Sequence, residues 1–207
     1  MIDKITNREI NTPLNPGTYE ILGKIIKKEN SDSILSSFSL KLIKKYLEIS
    51  IKSENLFLYV CEHNNNIIGY ALLAKKPSFL ISEFKSIKYS IFLNMILSFN
   101  LKVLMNLFIS MSKIDLLLIS KINKDFINKN LNLNLLAIDK KFQSKGIGRM
   151  FVLNMLSDIK KRYKFQNVTV ETYSKRAASF YQSKLNFQYM GVKLRFFKNL
   201  PTYKKKL

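Results

Sequence analysis

From Leu135 to Leu153 the chain reads Leu-Leu-Ala-Ile-Asp-Lys-Lys-Phe-Gln-Ser-Lys-Gly-Ile-Gly-Arg-Met-Phe-Val-Leu, an apolar strand, a short basic loop with two glycines and the start of an amphipathic helix. That order builds an anion site. The first N–H groups of a helix have no intrahelical partners, so donors and the positive end of the dipole converge on whatever enters the loop. Gly146 and Gly148 remove the Cβ atoms that would hold a ligand off the backbone, and Lys145 and Arg149 add charge around the same turn.

Two familiar phosphate loops do not fit. A P-loop ends in Gly-Lys-Ser/Thr, whereas Gly148 is followed by Arg149-Met150. A dinucleotide fingerprint needs a small residue where Phe151 stands. What remains, Gln143-x-x-Gly146-x-Gly148 between strand and helix, resembles the acetyl-coenzyme A loop of the GNAT N-acetyltransferase family, whose usual form is Gln/Arg-x-x-Gly-x-Gly/Ala. A second segment, 168–187, is similar to the family's strand, short helix and following strand: Val168, Val170, Ala177, Phe180, Tyr181 and Phe187 fall into its frame. Ser174 stands where the family usually has Asn, Asn186 replaces a Gly, and Tyr181 to Phe187 is one residue longer than the commonest spacing. Ser can cap the following helix and Asn tolerates a left-handed turn, so both departures keep the local geometry.

The resemblance implies a fold class: α/β, with a mixed, mostly antiparallel twisted sheet whose fourth and fifth strands splay apart, flanked by helices. It also implies acetyl transfer from acetyl-CoA, as acyl-donor co-substrate, to a primary amine. Backbone groups of Gln143, Ser144, Lys145, Gly146, Ile147, Gly148 and Arg149 would hold the pyrophosphate, and Ser174 would lie beside the coenzyme. The strand edge at Leu136, Ala137 and Ile138 would pair with the pantetheine arm as an added strand would. The N–H of Ile138 would polarise the thioester carbonyl. Tyr181 matches the family tyrosine that protonates the departing thiolate; a phenol titrates near 10, above a thiol near 8.5, and so stays protonated at neutral pH. For the amine's proton the residues offer Glu171, past the apolar part of the fifth strand, with Glu62 and Tyr173 as alternatives.

The elements that must hold these residues can be read from periodicity. Residues 1–13 hold a first strand, and 18–28 and 40–51 carry helical apolar spacing. Strands 56–62 and 67–74 form a hairpin around Asn64-Asn65-Asn66. Strand 131–138, helix 147–163, strand 167–172, helix 175–184 and terminal strands near 187–197 and 202–207 follow. The whole chain, 1–207, reads as one domain.

Segment 77–130 is an insertion between the third and fourth strands, strongly apolar from Ile91 to Met111. Roughly a dozen Ile, Leu, Phe and Val residues would contribute about −5 kcal/mol to a membrane span, but a central Lys102 costs about +3. Asn94, Asn100 and Asn106 cancel the remainder. A peripheral membrane contact is a second reading, since Lys85, Lys88, Lys102 and Lys113 flank the apolar face. The reading adopted is a helical hairpin broken near Ser98 to Asn100 beside the acceptor mouth.

A net charge of +21 favours anionic ligands such as coenzyme A and nucleotide-linked sugars. The lysines are scattered along the chain, so nucleic acid is the weaker reading of that charge. Cys61, the single cysteine, sits in an apolar strand and is expected in the core; it cannot form an intramolecular disulfide, and one Cys with one His, His63, assembles no zinc or iron site. A cytoplasmic protein is expected, with the sequence leaving a homodimer open. The resemblance implies a small-molecule amine as acceptor, and the combination of helix order, apolar insertion and terminal strands most resembles family members found with surface-polysaccharide synthesis, whose acceptors are nucleotide-linked amino sugars. Aminoacyl-tRNA, a protein N-terminus and a non-catalytic acyl-CoA-binding or membrane-associated module are the alternatives.

Overall fold

A computed structural model describes residues 5–30, 33–97, 130–195 and 198–207. Its strands are β1 (Ile5–Ile10), β2 (Leu56–His63), β3 (Asn66–Ala74), β4 (Leu131–Ile138), β5 (Asn167–Glu171), β6 (Gln188–Arg195) and β7 (Lys198–Lys206). They form one seven-stranded sheet in the order β1-β2-β3-β4-β5-β7-β6, antiparallel except for the β4–β5 pair. This is the expected mixed, mostly antiparallel sheet.

Helices cover both faces. On one lie α1 (Pro16–Glu29) and α2 (Leu40–Lys52), each started by local chemistry. Asn15 accepts the N–H of Thr18 at 2.8 Å with Pro16 at the first helical position, and Ser39 accepts the N–H of Leu42. Their buried residues, among them Leu22, Ile26, Ile43 and Leu47, pack on Leu58, Val60, Tyr70 and Leu72 of the sheet. On the other face α5 (Ile147–Tyr163) buries Ile147, Phe151, Val152, Met155, Leu156 and Ile159 against Tyr59, Cys61, Leu73, Leu133, Val168 and Val170. Cys61 is a core residue, and burial pushes its thiol up to about 12.

The turn between β2 and β3 places Asn64 and Asn65 at φ 49° and 63°, the left-handed pair that a two-residue hairpin requires. After β3 the insertion begins with α3 (Pro77–Glu83), a 3₁₀ turn (Phe84–Ile87) and α4 (Lys88–Leu97). Phe84 and Ile87 are buried in the α1/α2 layer, and the Phe84 ring stacks on Tyr46 at 4.0 Å. The break expected near Ser98 to Asn100 and the rest of the insertion lie outside the described residues. Among the described residues no helix is long and apolar enough to cross a membrane.

Three expected boundaries shift. β5 stops at Glu171: Thr172 still donates its N–H to the carbonyl of Pro201, but Pro201 has no N–H to return, so the next ladder pair is incomplete. The last strand begins at Lys198, before Pro201, instead of at 202. Pro201 is tolerated because it stands where the β5 pairing ends: its carbonyl still accepts from Thr172, and the N–H it lacks is the one that would have carried the ladder past Glu171↔Thr202. Helix 175–184 divides into α6 (Lys175–Ser179) and a π turn over Phe180–Lys184. The wider turn takes up the extra residue between Tyr181 and Phe187, whose rings meet at 5.3 Å.

A polar cluster ties β1 and β2 to the end of α5. The Tyr59 hydroxyl donates to Asp158 at 2.6 Å, Arg162 bonds Asp158 and pairs with Glu9, and Tyr163 donates to Glu9 at 3.0 Å. Burial pushes the Asp158 carboxyl up, but hydrogen bonds from Arg162 and Tyr59 and the charges of Arg162 and Lys161 together outweigh it, leaving the carboxyl below its usual range. A carboxyl lowered on folding stabilises the protein above its unfolded pKa of about 3.9, and that stability is lost as pH falls through the folded value. Asp158→Asn should therefore cost about 1 kcal/mol at pH 7, since the group is part-exposed, lowering Tm by roughly 2–4 °C. The deficit should shrink as pH falls below the unfolded value of about 3.9 and through the lower folded one; a difference independent of pH in thermal melts would show that packing, not charge, is what the variant loses.

Candidate acetyl-donor site

β4 and β5 pair only over Leu131↔Val168, Asn132↔Thr169 and Leu133↔Val170. At that point β4 carries a bulge: β3 residues Leu72 and Leu73 face Leu135 and Leu133, leaving Asn134 as the extra residue. A bulge bends its strand. β4 stays with β3 as far as Ile138, while β5 keeps to β7 through Glu171, so the sheet opens between them.

The backbone of β4 can be read in the opening. Asp139 donates its N–H to the carbonyl of Ile68, which flanks the Gly69↔Ile138 pair and makes it a non-hydrogen-bonded one. The N–H and C=O of Ile138, and by alternation those of Leu136, therefore point away from β3 into the split. Those of Ala137 point to Tyr70 of β3. Of the three residues expected at the strand edge, Leu136 turns both backbone groups and Ile138 its N–H toward the split, the Ile138 carbonyl being taken by Gln143 Nε2, while the groups of Ala137 are spent on β3.

Gly69 makes this close pairing possible. A Cβ there would fall 2.6 Å from the Ala137 carbonyl oxygen and against the Ile138 side chain. Sequence reading passed over this residue, although an isolated glycine within a strand is a sign of close backbone approach.

The loop beyond β4 begins with a 3₁₀ turn, Lys140–Phe142, capped by Asp139. Ser144 and Gly146 adopt positive φ of 63° and 78°, curling the loop so that α5 starts at Ile147 beside the end of β4. Ser144, Lys145 and Gly146 are exposed, and nothing lies within 4 Å of where a Gly146 Cβ would be. A Gly148 Cβ would sit 3.7 Å from the Phe180 ring and 3.8 Å from the Ile138 side chain. Strand end, helix start and π turn thus meet around Gly148. Two basic side chains are already engaged: Arg149 donates to the Lys184 carbonyl at 3.0 Å, and the Lys145 ammonium lies over the Phe142 ring.

The side chain of Gln143 is also engaged. Its Nε2 donates to the Ile138 carbonyl at 2.7 Å and to Glu29 at 2.9 Å, and its Oε1 accepts from Arg176 at 2.9 Å. Neither Glu29 nor Arg176 was singled out from the sequence, because no local pattern joins α1 or α6 to a loop more than 30 residues away. Ser174 caps α6 through the N–H of Ala177, and Asn186 takes φ 55°, as their chemistry led one to expect.

Tyr181 is buried at 5% exposure, its ring between Phe180 and Phe187, and burial raises its phenol above the usual value. It belongs to the layer that also holds Val168 and Val170. Glu171 alternates with those valines and lies on the opposite face, with Thr169. Of the alternative bases, Glu62 is held by Arg8 at 2.9 Å and Tyr173 is exposed. Among the described residues no cluster of His, Cys, Asp and Glu could hold a metal ion.

No family model matches the sequence, and neither does any curated protein. Solved structures do. The polyamine N-acetyltransferase of Drosophila melanogaster aligns over 99% of this chain and 100% of its own, with a TM-score of 0.59 at 12% identity. The GNAT family acetyltransferase of Elizabethkingia anophelis, solved with acetyl-CoA bound, covers 99% of both chains with a TM-score of 0.53 at 16% identity. The fold is that of the GNAT acetyltransferases. A third example, the ribosomal-protein-S18-alanine N-acetyltransferase of Escherichia coli, covers 98% of this chain and 94% of its own with a TM-score of 0.55 at 12% identity. The split between the fourth and fifth strands and the glycine loop beside it thus sit within a GNAT architecture.

Gly69→Ala tests the geometry of the strand end. Backbone cannot yield as a side-chain tip does, so the variant should lose about 1–3 kcal/mol of stability. Urea denaturation measures this, and an unchanged midpoint would mean that β4 does not depend on the close approach at residue 69.

Proposed function

We propose that the chain, acting as one domain, is an acetyl-CoA-dependent N-acetyltransferase of a small-molecule primary amine. The observation that carries this reading is the direction of the Leu136 and Ile138 backbone groups into the split, directly beside a glycine-bearing helix start. The residues fit the donor. Glycine at 146 and 148 leaves the loop backbone open to a pyrophosphate, and the helix start supplies donors and positive potential. Acetyl-CoA, when bound, supplies an activated acetyl group.

In this arrangement the amide groups of the pantetheine arm align with the backbone of Leu136 as a neighbouring strand would, which leaves the Ile138 N–H for the thioester. The Ile138 N–H donates to the thioester oxygen, where charge develops as the amine attacks. The amine nitrogen forms the new C–N bond, the C–S bond breaks, and Tyr181 gives its proton to the sulfur. Glu171 takes the amine's proton, directly or through water. Tyr181 and Glu171 lie on opposite faces of the split sheet, so acid and base approach the reacting carbon from two sides.

The charge of +21 supports an acceptor whose amine is carried on an anionic scaffold, and we assign a nucleotide-linked amino sugar in preference to a polyamine. A polycation would be repelled by the same field that draws coenzyme A. Such a reaction belongs in the cytoplasm, where acetyl-CoA and nucleotide-linked sugars are made. Thiol release from acetyl-CoA, measured with a panel of nucleotide-linked amino sugars, agmatine and a peptide with a free N-terminus, decides the class. Turnover only with agmatine or the peptide would overturn the acceptor assignment.

Two variants test the parts. Gly148→Glu places an acid in the first turn of α5, where it suits the helix dipole, but sets a negative charge against the pyrophosphate. It should fold normally and lose acetyl-CoA-dependent thermal stabilisation; retained stabilisation would move the donor site elsewhere. Tyr181→Phe keeps the packed ring and removes the proton, so kcat should fall by roughly 10²–10⁴-fold with little change in acetyl-CoA affinity. Turnover at the wild-type rate, with chemistry rate-limiting, would leave Tyr181 a packing residue.

A further inference from the structure

Glu29 is the last residue of α1, in the layer across the sheet from α5, yet its carboxylate serves the loop between β4 and α5. The side chain is only 10% exposed. Oε1 accepts the backbone N–H of Lys140 at 3.1 Å and Oε2 accepts from Gln143 Nε2 at 2.9 Å. Lys28 lies 3.7 Å from Glu29 and 3.6 Å from Asp139, balancing the charge. Around Gln143 the donors and acceptors match in one orientation only. Both partners of Nε2, Glu29 and the Ile138 carbonyl, are acceptors, and the partner of Oε1, Arg176, is purely a donor. Turning the amide over would set oxygen against two oxygens and nitrogen against a guanidinium.

The Ile138–Asp139 peptide is thereby held from both sides. Its carbonyl accepts from Gln143, and its N–H donates to Ile68. Bonds to ionised groups are the stronger ones, so Glu29 from the α1 side and Arg176 from the α6 side fix which way Gln143 faces, and Glu29 is the one of the two that shares Nε2 with the Ile138 carbonyl.

We propose that Glu29 is a positioning residue: through Gln143 it sets the end of β4, and with it the Ile138 N–H aimed at the thioester carbonyl. This rests on the role assigned above to Ile138. It also couples the α1 layer to the donor loop, so a shift of α1 changes the polarisation of the acetyl group without any contact between α1 and that group.

The test uses the full chain with [1-¹³C]acetyl-CoA and no acceptor. The infrared stretch of the labelled carbonyl reports the hydrogen bond to it, and thermal melts report the fold. In the wild type the stretch should move to lower frequency on binding. In Glu29→Gln at least about half of that shift should be lost, because the remaining amide offers Gln143 a poorer acceptor. Tm and acetyl-CoA affinity should change little. The exchanged pair Glu29→Gln with Gln143→Glu restores a bond between α1 and the loop but turns a carboxylate toward the Ile138 carbonyl. It should recover any lost Tm and leave the carbonyl shift reduced. No shift in the wild type would overturn the Ile138 assignment itself. A wild-type shift retained in Glu29→Gln, or restored by the exchanged pair, would overturn the role of Glu29 and leave that of Ile138 intact; so would loss of affinity with an unchanged shift.

Discussion

Parallel pairing between β4 and β5 ends at Leu133↔Val170, and nearly everything functional in this molecule follows from that ending. A strand released from one neighbour must either fray or be held by the other. β4 is held, by its antiparallel pairing to β3 as far as Ile138 and by the bulge at Asn134 that bends it. Backbone groups that a closed sheet would consume in its own ladder are left facing a cleft. The same opening would be a liability in an ordinary sheet, because unpaired strand groups recruit any strand that offers itself. Here they lie beside a helix start whose donors favour an anion, an arrangement that suits the amide-bearing, phosphorylated donor proposed above.

Holding the split open requires support from outside the sheet, and the two helical layers supply it differently. On the α5 side the support is apolar: Phe151, Val152 and Met155 bury against Leu133 and Val170, and the π turn brings Tyr181 onto Phe187. On the α1 side it is polar, through Glu29, Gln143 and Arg176. Apolar packing sets distances but leaves peptide orientation loose, whereas hydrogen bonds fix which way a carbonyl or amide points. A site that works through backbone N–H groups needs both. The charged cluster of Glu9, Tyr59, Asp158 and Arg162 stands at the far end of α5 from the glycine loop and anchors that helix to β1 and β2.

Departures from the usual family pattern were absorbed by local geometry and not by rearrangement. Ser174 caps α6, Asn186 takes the left-handed turn, and the extra residue before Phe187 becomes a π turn. In the first two a different side chain serves a cap and a left-handed turn, and in the third the backbone itself widens. The fold is shared with solved acetyltransferases at 12–16% identity.

Much of this was written in the chain in local terms. The Asn64-Asn65 turn, the spacing Ile147, Phe151, Met155 and Ile159 along α5, and the Gln143 to Gly148 loop each depend on residues within a few positions of one another, so their signals survive in one dimension. The start of the last strand did not come out correctly, because whether Pro201 sits in a strand depends on which neighbour its missing N–H would have faced. Gly69 looked like any strand residue until Ile138 was brought against it. Ala137 could not be told from its neighbours, since hydrogen-bond direction in a strand is set by the register of its partner and not by its own sequence. Glu29 carried no signal at all: its role exists only where α1, the donor loop and α6 converge from sequence separations above 30. Sequence alone determined the kinds of element and the strand–glycine loop–helix form of 131–163, because propensity, capping and turn formation are short-range. Tertiary structure alone decided which backbone groups face the cleft and which side chains hold them there, because those depend on partners that meet only in the folded chain.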